Sequence, residues 1–292
     1  MSRTADILLT AIAPVIWGST YIVTTELLPQ GYPIHVAMLR ALPAGLFLLL
    51  LVRQLPQGVW WTRSFILGAL NFSFFLCMLF VSAYRLPGGV AATVGAIQPL
   101  IVIALSRVFL GSPLKLMAIV AGLAGIGGVA LLVLTPNAAL DPVGVIAGLA
   151  GAVSMAFGTV FSRYWQPPVS PLAFTAWQMT AGGLLLVPVA LIFEPPLPAL
   201  TLTNWLGFIQ LGLVGTALTY VMWFRGISRL GPSAVSPLGF LSPAVAVLIG
   251  WIVLGQSLGL MQILGIVVVL ASTWLSQYVQ AGADRPGKVA KA

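Results

Sequence analysis

Acidic side chains are almost missing from this sequence: Asp and Glu number 5 in 292 residues, and charged residues of both signs make up only 6%. A soluble domain carries roughly 25% charge, so a water-exposed globule of this size is excluded. Disorder is excluded too, because it needs low hydrophobicity and 60% of the residues here are apolar. The single cysteine, Cys77, cannot form an internal disulfide or a thiolate metal site. A nucleotide-binding loop, a zinc His-Glu-x-x-His and a paired carboxylate are absent as well. That argues against an ATP-driven pump and an intramembrane hydrolase, and no enzyme activity, metal or cofactor is expected. Lys and Arg number 13, for a net charge of +8, but they are scattered and make no stripe for nucleic acid.

What the chain does have is apolar length, with a mean hydropathy of +1.08. Ten runs stand out between clusters of Pro, Gly and charge, at 7–25, 34–52, 65–84, 90–109, 114–134, 143–163, 172–193, 205–224, 232–253 and 260–278. Each can cross ~30 Å of hydrocarbon as a helix, and each is apolar on every face, unlike the alternating segments of a barrel. The first run follows Arg3 and contains Ala11-Ile12-Ala13, as a secretory leader would. Pro14 comes next and the apolar pattern continues through Trp17 to Val23, so a retained helix is expected. Ten crossings put both termini on one side. Eleven of the 13 basic residues fall on that side, Arg85 alone on the other, and Arg40 inside a span. Glu26, Asp141 and Glu194 lie opposite. The positive-inside rule then makes both termini cytoplasmic.

The chain also resembles itself. Residues 85–114 and 229–258 align at an offset of 144, sharing Arg85/Arg229, Gly95/Gly239, Pro99/Pro243 and Leu110-Gly111/Leu254-Gly255. Trp17-Gly18 falls opposite Phe157-Gly158, and Arg40 opposite Gln178. The expected organisation is a five-helix repeat over 1–139, a second over 140–279 and a disordered tail over 280–292. An odd number of spans per repeat reverses the second half in the membrane. Such an inverted-topology repeat suits a secondary transporter with its site near the midplane, whereas receptors, scaffolds and membrane enzymes have no particular need of it.

Gly95-x-x-x-Pro99 and Gly239-x-x-x-Pro243 place a proline near the centre of the fourth and ninth spans. Each proline leaves the glycine carbonyl four residues back without its helical donor, beside a polar side chain, Gln98 or Ser242. Irregular backbone at that depth is tolerated where it is buried or lines a wet cavity. Arg40 is the one basic residue well inside a span; it either holds a substrate carboxylate or snorkels outward. Trp17 and Tyr21 share a face of the first helix, and Gly212, Thr216, Thr219, Tyr220 and Trp223 lie close to one face of the eighth. Such aromatic and hydroxyl groups suit a partly apolar solute. Asn71 and Trp177 are weaker candidates of the same kind. Trp60, Trp61, Trp165 and Tyr278 near span ends read as interfacial anchors, and Gly122, Gly125 and Gly128 as close helix contacts. With no Asp or Glu inside a span, only His35 could titrate in the membrane, and its position reads as a solvated edge.

Ten short helices, the Trp17-Gly18 pair, and the mid-span proline with terminal Leu-Gly in the fourth and ninth spans together resemble the drug/metabolite transporter superfamily. The closer resemblance is to its EamA-domain branch, one domain in each half, over 7–278. Within that branch the chain is similar to YddG-type bacterial exporters of aromatic and other amino acids, which also pass cationic toxicants such as methyl viologen. The resemblance implies a basket of eight helices around a central cavity, the fifth and tenth helices peripheral, and export across the bacterial inner membrane by alternating access. Its cavity residues map onto Trp17, Arg40, Gln98, Phe157, Gln178, Tyr220 and Ser242. Where many members have Leu-Gly-Glu, this chain has Leu110-Gly111-Ser112 and Leu254-Gly255-Gln256, which favours facilitated export over proton coupling. The competing readings are an exporter of lipophilic cations and a non-transporting scaffold or sensor.

Overall fold

The computed structural model describes residues 2–86, 88–134 and 141–281, apart from the side chains of Tyr21, Ala83, Tyr84, Gly88, Gly89 and Val90. Ten helices in it are long and apolar enough to span a bilayer: α1 (Arg3–Leu27), α2 (Pro33–Val52), α3 (Trp60–Ser82), α4 (Ala91–Leu110), α5 (Leu116–Val133), α6 (Pro142–Tyr164), α7 (Pro171–Phe193), α8 (Leu202–Leu230), α9 (Pro232–Leu254) and α10 (Leu260–Ala281). The described residues contain no strand, and the chain is an all-α, multi-pass membrane protein. Of the tail expected over 280–292, residues 282–292 lie outside the described residues, as does the 139/140 boundary between the halves.

Several helices run past their apolar runs because polar caps extend them. Ser2 accepts from the Ala5 N–H and starts α1 at Arg3. A reciprocal Thr201–Asn204 capping box starts α8 at Leu202. The extension of α1 corrects one expectation: two acids fall inside a span, Asp6 in its first turn and Glu26 at its other end.

Packing follows the repeat. Helix α1 packs on α8 and α9, and its counterpart α6 packs on α3 and α4. The counterparts α2 and α7 pack along each other, then α2 on α8 and α7 on α3. Helices α5 and α10 pair with each other and otherwise touch chiefly α4 and α9, which puts them on the outside. Gly122 and Gly125 of α5 admit Leu100 and Phe240 where a Cβ would collide, and Gly128 gives the same room to Val269.

The repeated Leu-Gly pairs have a local cause. Gly111 and Gly255 take φ of +66° and +65° at the ends of α4 and α9, a left-handed conformation that glycine adopts without strain. In the first, the N–H groups of Gly111 and Ser112 both turn back to the Ser106 carbonyl; in the second, those of Gly255 and Gln256 turn back to Gly250.

Ion pairs repeat too, on opposite sides of the bundle. Asp6 at the start of α1 meets Arg225 at 2.7 Å and Arg229 at 3.8 Å near the end of α8. Asp141 at the start of α6 meets Arg85 beyond α3 at 3.5 Å. Asp141 also accepts the Gly144 N–H, and that bond, aided by Arg85, holds its carboxyl below the usual range. On the side carrying the described N-terminus, the Arg163 guanidinium of α6 donates to the Ser228 carbonyl of α8, tying those two helices together. At the opposite end, Glu194 beyond α7 accepts the backbone N–H groups of Ile34 and His35 at 2.6 and 2.8 Å, and its Oε2 lies 2.7 Å from His35 Nδ1. His35 is therefore buried and paired, not a solvated edge residue.

Gly158 on α6 faces the fully buried Asn71 of α3, so that a Cβ at 158 would run into Oδ1 of Asn71. Gly158→Ala is expected to lower the thermal midpoint of the detergent-solubilised protein by several degrees, on an overpacking cost of about 1–3 kcal/mol. Adding Asn71→Ala restores part of the loss, which a melting series on the single and double variants measures.

Candidate functional site

The site is built around a defect in α8. Over Gln210–Leu218 the helix widens to π-helical turns, and α3 does the same over Ala69–Ser73 in the other repeat. A π-turn displaces carbonyls from the α-helical ladder and is frequent at functional sites. Here the Gly215 carbonyl accepts from Trp17 Nε1 at 3.1 Å and from the Thr219 hydroxyl at 2.9 Å, with Arg40 Nη2 at a long 3.5 Å. Trp17 Nε1 is shared with Thr219 Oγ1 at 2.9 Å, and Arg40 Nε donates to Thr216 Oγ1 at 3.2 Å. Helices α1, α2 and α8 thus converge on one carbonyl oxygen.

Aromatic rings close in around that point. Tyr220 lies 5.1 Å from Trp17 and 4.7 Å from Phe72, with Trp223 5.0 Å from Trp17, all between ring centroids and tilted. Spacings of this kind are the favourable ones for aromatic pairs. Trp17 is half-buried, whereas Tyr220 and Trp223 are buried.

Arg40 does not snorkel. It is 9% exposed, turned inward against α8, and has no acid within salt-bridge distance among the described residues. Nη1 makes no hydrogen bond among them either. A buried guanidinium normally needs a counter-charge, because desolvating it costs several kcal/mol. Its state here is that of a cation held in place with donors to spare.

The other repeat carries a neutral version of the same arrangement. Gln178 on α7, opposite Arg40 in the repeat, is fully buried and accepts from Asn71 Nδ2 at 2.8 Å. At the 144-residue offset Asn71 corresponds to Gly215, so each repeat joins its mid-helix polar residue to the π-turn of a neighbour. Asn71 Oδ1 and Gln178 Nε2 are buried with no hydrogen-bond partner.

The remaining candidates divide. Helix α4 breaks at its Gly-x-x-x-Pro: one helical segment ends at Gly95 and the next begins at Gln98, with Pro99 in its first turn. In α9 a 3₁₀ turn over Ser236–Phe240 precedes the helix that holds Ser242 and Pro243. Gly95 and Gly239 both face open space instead of a neighbouring helix. Gln98 is half-buried with Nε2 unpartnered, and the Ser242 carbonyl packs against Gly18. Phe157 joins a different aromatic group, 6.2 Å from Phe109 and 5.6 Å from Phe161, away from the Trp17 cluster. The side chain of Tyr21 lies outside the described residues.

Trp60 is not an interfacial anchor: it is buried among Phe174 and Trp177, with Arg63 over its ring at 5.0 Å. Trp177 itself bonds the Gln54 carbonyl at 2.6 Å. Two clefts of about 420 and 170 Å³ lie near the end of α2, the first beside Arg53 and Gln54 and the second beside Ser64 and Thr180; of the expected candidates only Trp177 lines one of them, the second. Sequence reasoning missed Gly215, Phe72 and Glu194. The signal for the first was available, since Gly212, Gly215 and Thr216 crowd weak helix formers into one turn of α8.

Comparison with known proteins matches the profile of the EamA-like transporter family to residues 4–134 and again to 142–278. The chain is 45% identical over 267 residues to Protein PecM of Dickeya dadantii (strain 3937), covering 91% of this chain and 90% of that one. It is 30% identical over 262 residues to the uncharacterized inner membrane transporter YedA of Escherichia coli (strain K12), covering 88% and 85%. One crystal structure, at 18% identity, shares the fold with a TM-score of 0.82 over 97% of this chain and 100% of that one.

A buried cation without a counter-charge is expected to trade stability for function. Arg40→Met should raise the thermal midpoint by several degrees, a gain of about 1–4 kcal/mol, and abolish ligand-induced stabilisation. A lower midpoint in the same scan would make Arg40 a structural strut.

Proposed function

The chain belongs to the EamA-like transporter family, and from that premise we propose that it exports small amphiphilic metabolites, chiefly aromatic and other neutral amino acids, by alternating access. The observation that carries this reading is Arg40: a buried guanidinium with unused donors, standing beside the Trp17–Tyr220–Phe72 rings. The cation holds the carboxylate and the rings hold the side chain, with Thr216 and Thr219 at the border between them. Gln98, Ser242, Gln178, Phe157 and Tyr21 belong to the wider path in this reading. The half-buried position of Gln98 and the open space at Gly95 and Gly239 support it for the first two.

Two five-helix units with reversed membrane sense, 1–139 and 140–279, supply the two-sided symmetry that alternating access requires. The Arg163–Ser228 bond closes the side bearing the described N-terminus. The chain lies in a bacterial inner membrane with both termini cytoplasmic; the excess of Lys and Arg on that side and the inner-membrane relative support this placement. Transport is facilitated, not proton-driven: the one histidine is committed to a cap on α2 through Glu194, and the buried Asp6 at the start of α1 to an ion pair with Arg225. The alternative cargo, a lipophilic cation such as methyl viologen, finds ring faces worth about 0.5–2 kcal/mol but meets the Arg40 charge.

Flux into proteoliposomes tests the reading, with labelled phenylalanine, methionine, threonine and glutamate, each with and without a pH gradient. The expected result is movement down the concentration gradient, indifferent to pH. Trp17→Ala and Tyr220→Ala each reduce phenylalanine flux about tenfold or more, on roughly 1.5 kcal/mol of lost ring contact, and affect threonine less. No flux of any of the four sinks the substrate assignment, and accumulation driven by pH sinks the facilitator.

A further inference from the structure

The charge balance of the site points to a narrower cargo than amino acids as a class. The chain has five acids: Asp6, Glu26, Asp141, Glu194 and Asp284. Asp6 and Glu26 sit at the two ends of α1, Asp141 precedes α6 and Glu194 follows α7, while Asp284 lies beyond α10 in sequence. Asp6, Asp141 and Glu194 already pair with Arg225, Arg85 and His35. The middle of the membrane therefore holds one formal charge, the Arg40 cation, and no anion.

A zwitterionic amino acid leaves this site with an imbalance. Its carboxylate neutralises Arg40, but its ammonium is then stripped of water with only hydroxyls, carbonyls and ring faces to receive it. The Gly215 carbonyl is already taken by Trp17 and Thr219, and Thr216 Oγ1 accepts from Arg40. Burying an ion without a full charge partner costs several kcal/mol, more than a ring face returns. The same skeleton without the amine makes a neutral pair with Arg40 and leaves nothing uncompensated.

We propose that the preferred ligands of this site are monoanionic aryl carboxylic acids: an aromatic ring on a short chain ending in a carboxylate, with no amine. This rests on the assignment of Arg40 to a substrate carboxylate made above. Thr216 is the positioning residue. By taking Nε it fixes the guanidinium against α8, with Nη2 only at a long 3.5 Å from the Gly215 carbonyl and Nη1 unused; a carboxylate that takes Nη1 and draws Nη2 from that long contact gains two parallel hydrogen bonds.

The test is calorimetric titration of the purified full-length protein with three ligands that differ only at the polar end: 3-phenylpropionate, phenylalanine and phenethylamine. Phenylpropionate is expected to bind at least tenfold more tightly than phenylalanine, and phenethylamine weakest of all. Arg40→Gln should erase the gap between phenylpropionate and phenethylamine. Thr216→Val, which keeps the cation, should weaken phenylpropionate about fivefold or more with little effect on phenethylamine, and Thr216→Ser should restore it. Phenylalanine binding more tightly than phenylpropionate overturns this inference and leaves the amino-acid reading standing. Phenethylamine binding best overturns both. If none of the three binds, labelled flux of phenylalanine and phenylpropionate decides: phenylalanine alone moving defeats the inference, and neither moving defeats the reading on which it rests.

Discussion

Three donors from three helices meet at the carbonyl oxygen of Gly215, and the candidate site depends on that oxygen being available. In an unbroken α-helix it would be consumed by the N–H four residues on. In the π-helical stretch of α8 the carbonyl receives the indole of Trp17, the hydroxyl of Thr219 and, more distantly, the guanidinium of Arg40. In hydrocarbon an unsatisfied backbone group costs several kcal/mol. The defect in α8 and the inward set of Arg40 and Trp17 are therefore a single arrangement: remove the side-chain donors and the π-turn loses partners, straighten the helix and the side chains lose their anchor.

The two repeats use this device differently. In one, the mid-helix polar residue is a cation and the groups it meets are a carbonyl and a hydroxyl. In the other, Gln178 meets Asn71 and both amides are fully buried. Symmetry of backbone is kept while symmetry of charge is broken. Of the two equivalent positions only the one on α2 carries a charge.

Much of the architecture was legible in the sequence because hydrocarbon imposes one rule on every span. Runs of about 20 apolar residues become helices, and the match of Arg85 with Arg229 and of Leu110-Gly111 with Leu254-Gly255 carries the repeat. Span ends were less legible, since Ser2 and the Thr201–Asn204 box extend helices by hydrogen bonds that hydropathy does not register. In the site, Trp17, Arg40 and Tyr220 were readable as deep polar or aromatic groups in apolar runs. Phe157, which the family resemblance put in the cavity, stands in a separate ring cluster with Phe109 and Phe161, a grouping that no sequence spacing announces. Glu194 and His35 escaped because their meeting joins the end of one helix to the first turn of another 159 residues away, and burial of that kind leaves no periodicity in either.

That meeting has a mechanical consequence. Helices α2 and α7, the pair related directly by the pseudo-twofold, are fastened at one end by Glu194 on the first turn of α2 and at the other by Trp177 on the Gln54 carbonyl. Two rods pinned together at both ends cannot scissor. The pair forms a strut through the molecule, with α1, α8 and α9 packed together on one side of it and α3, α4 and α6 on the other.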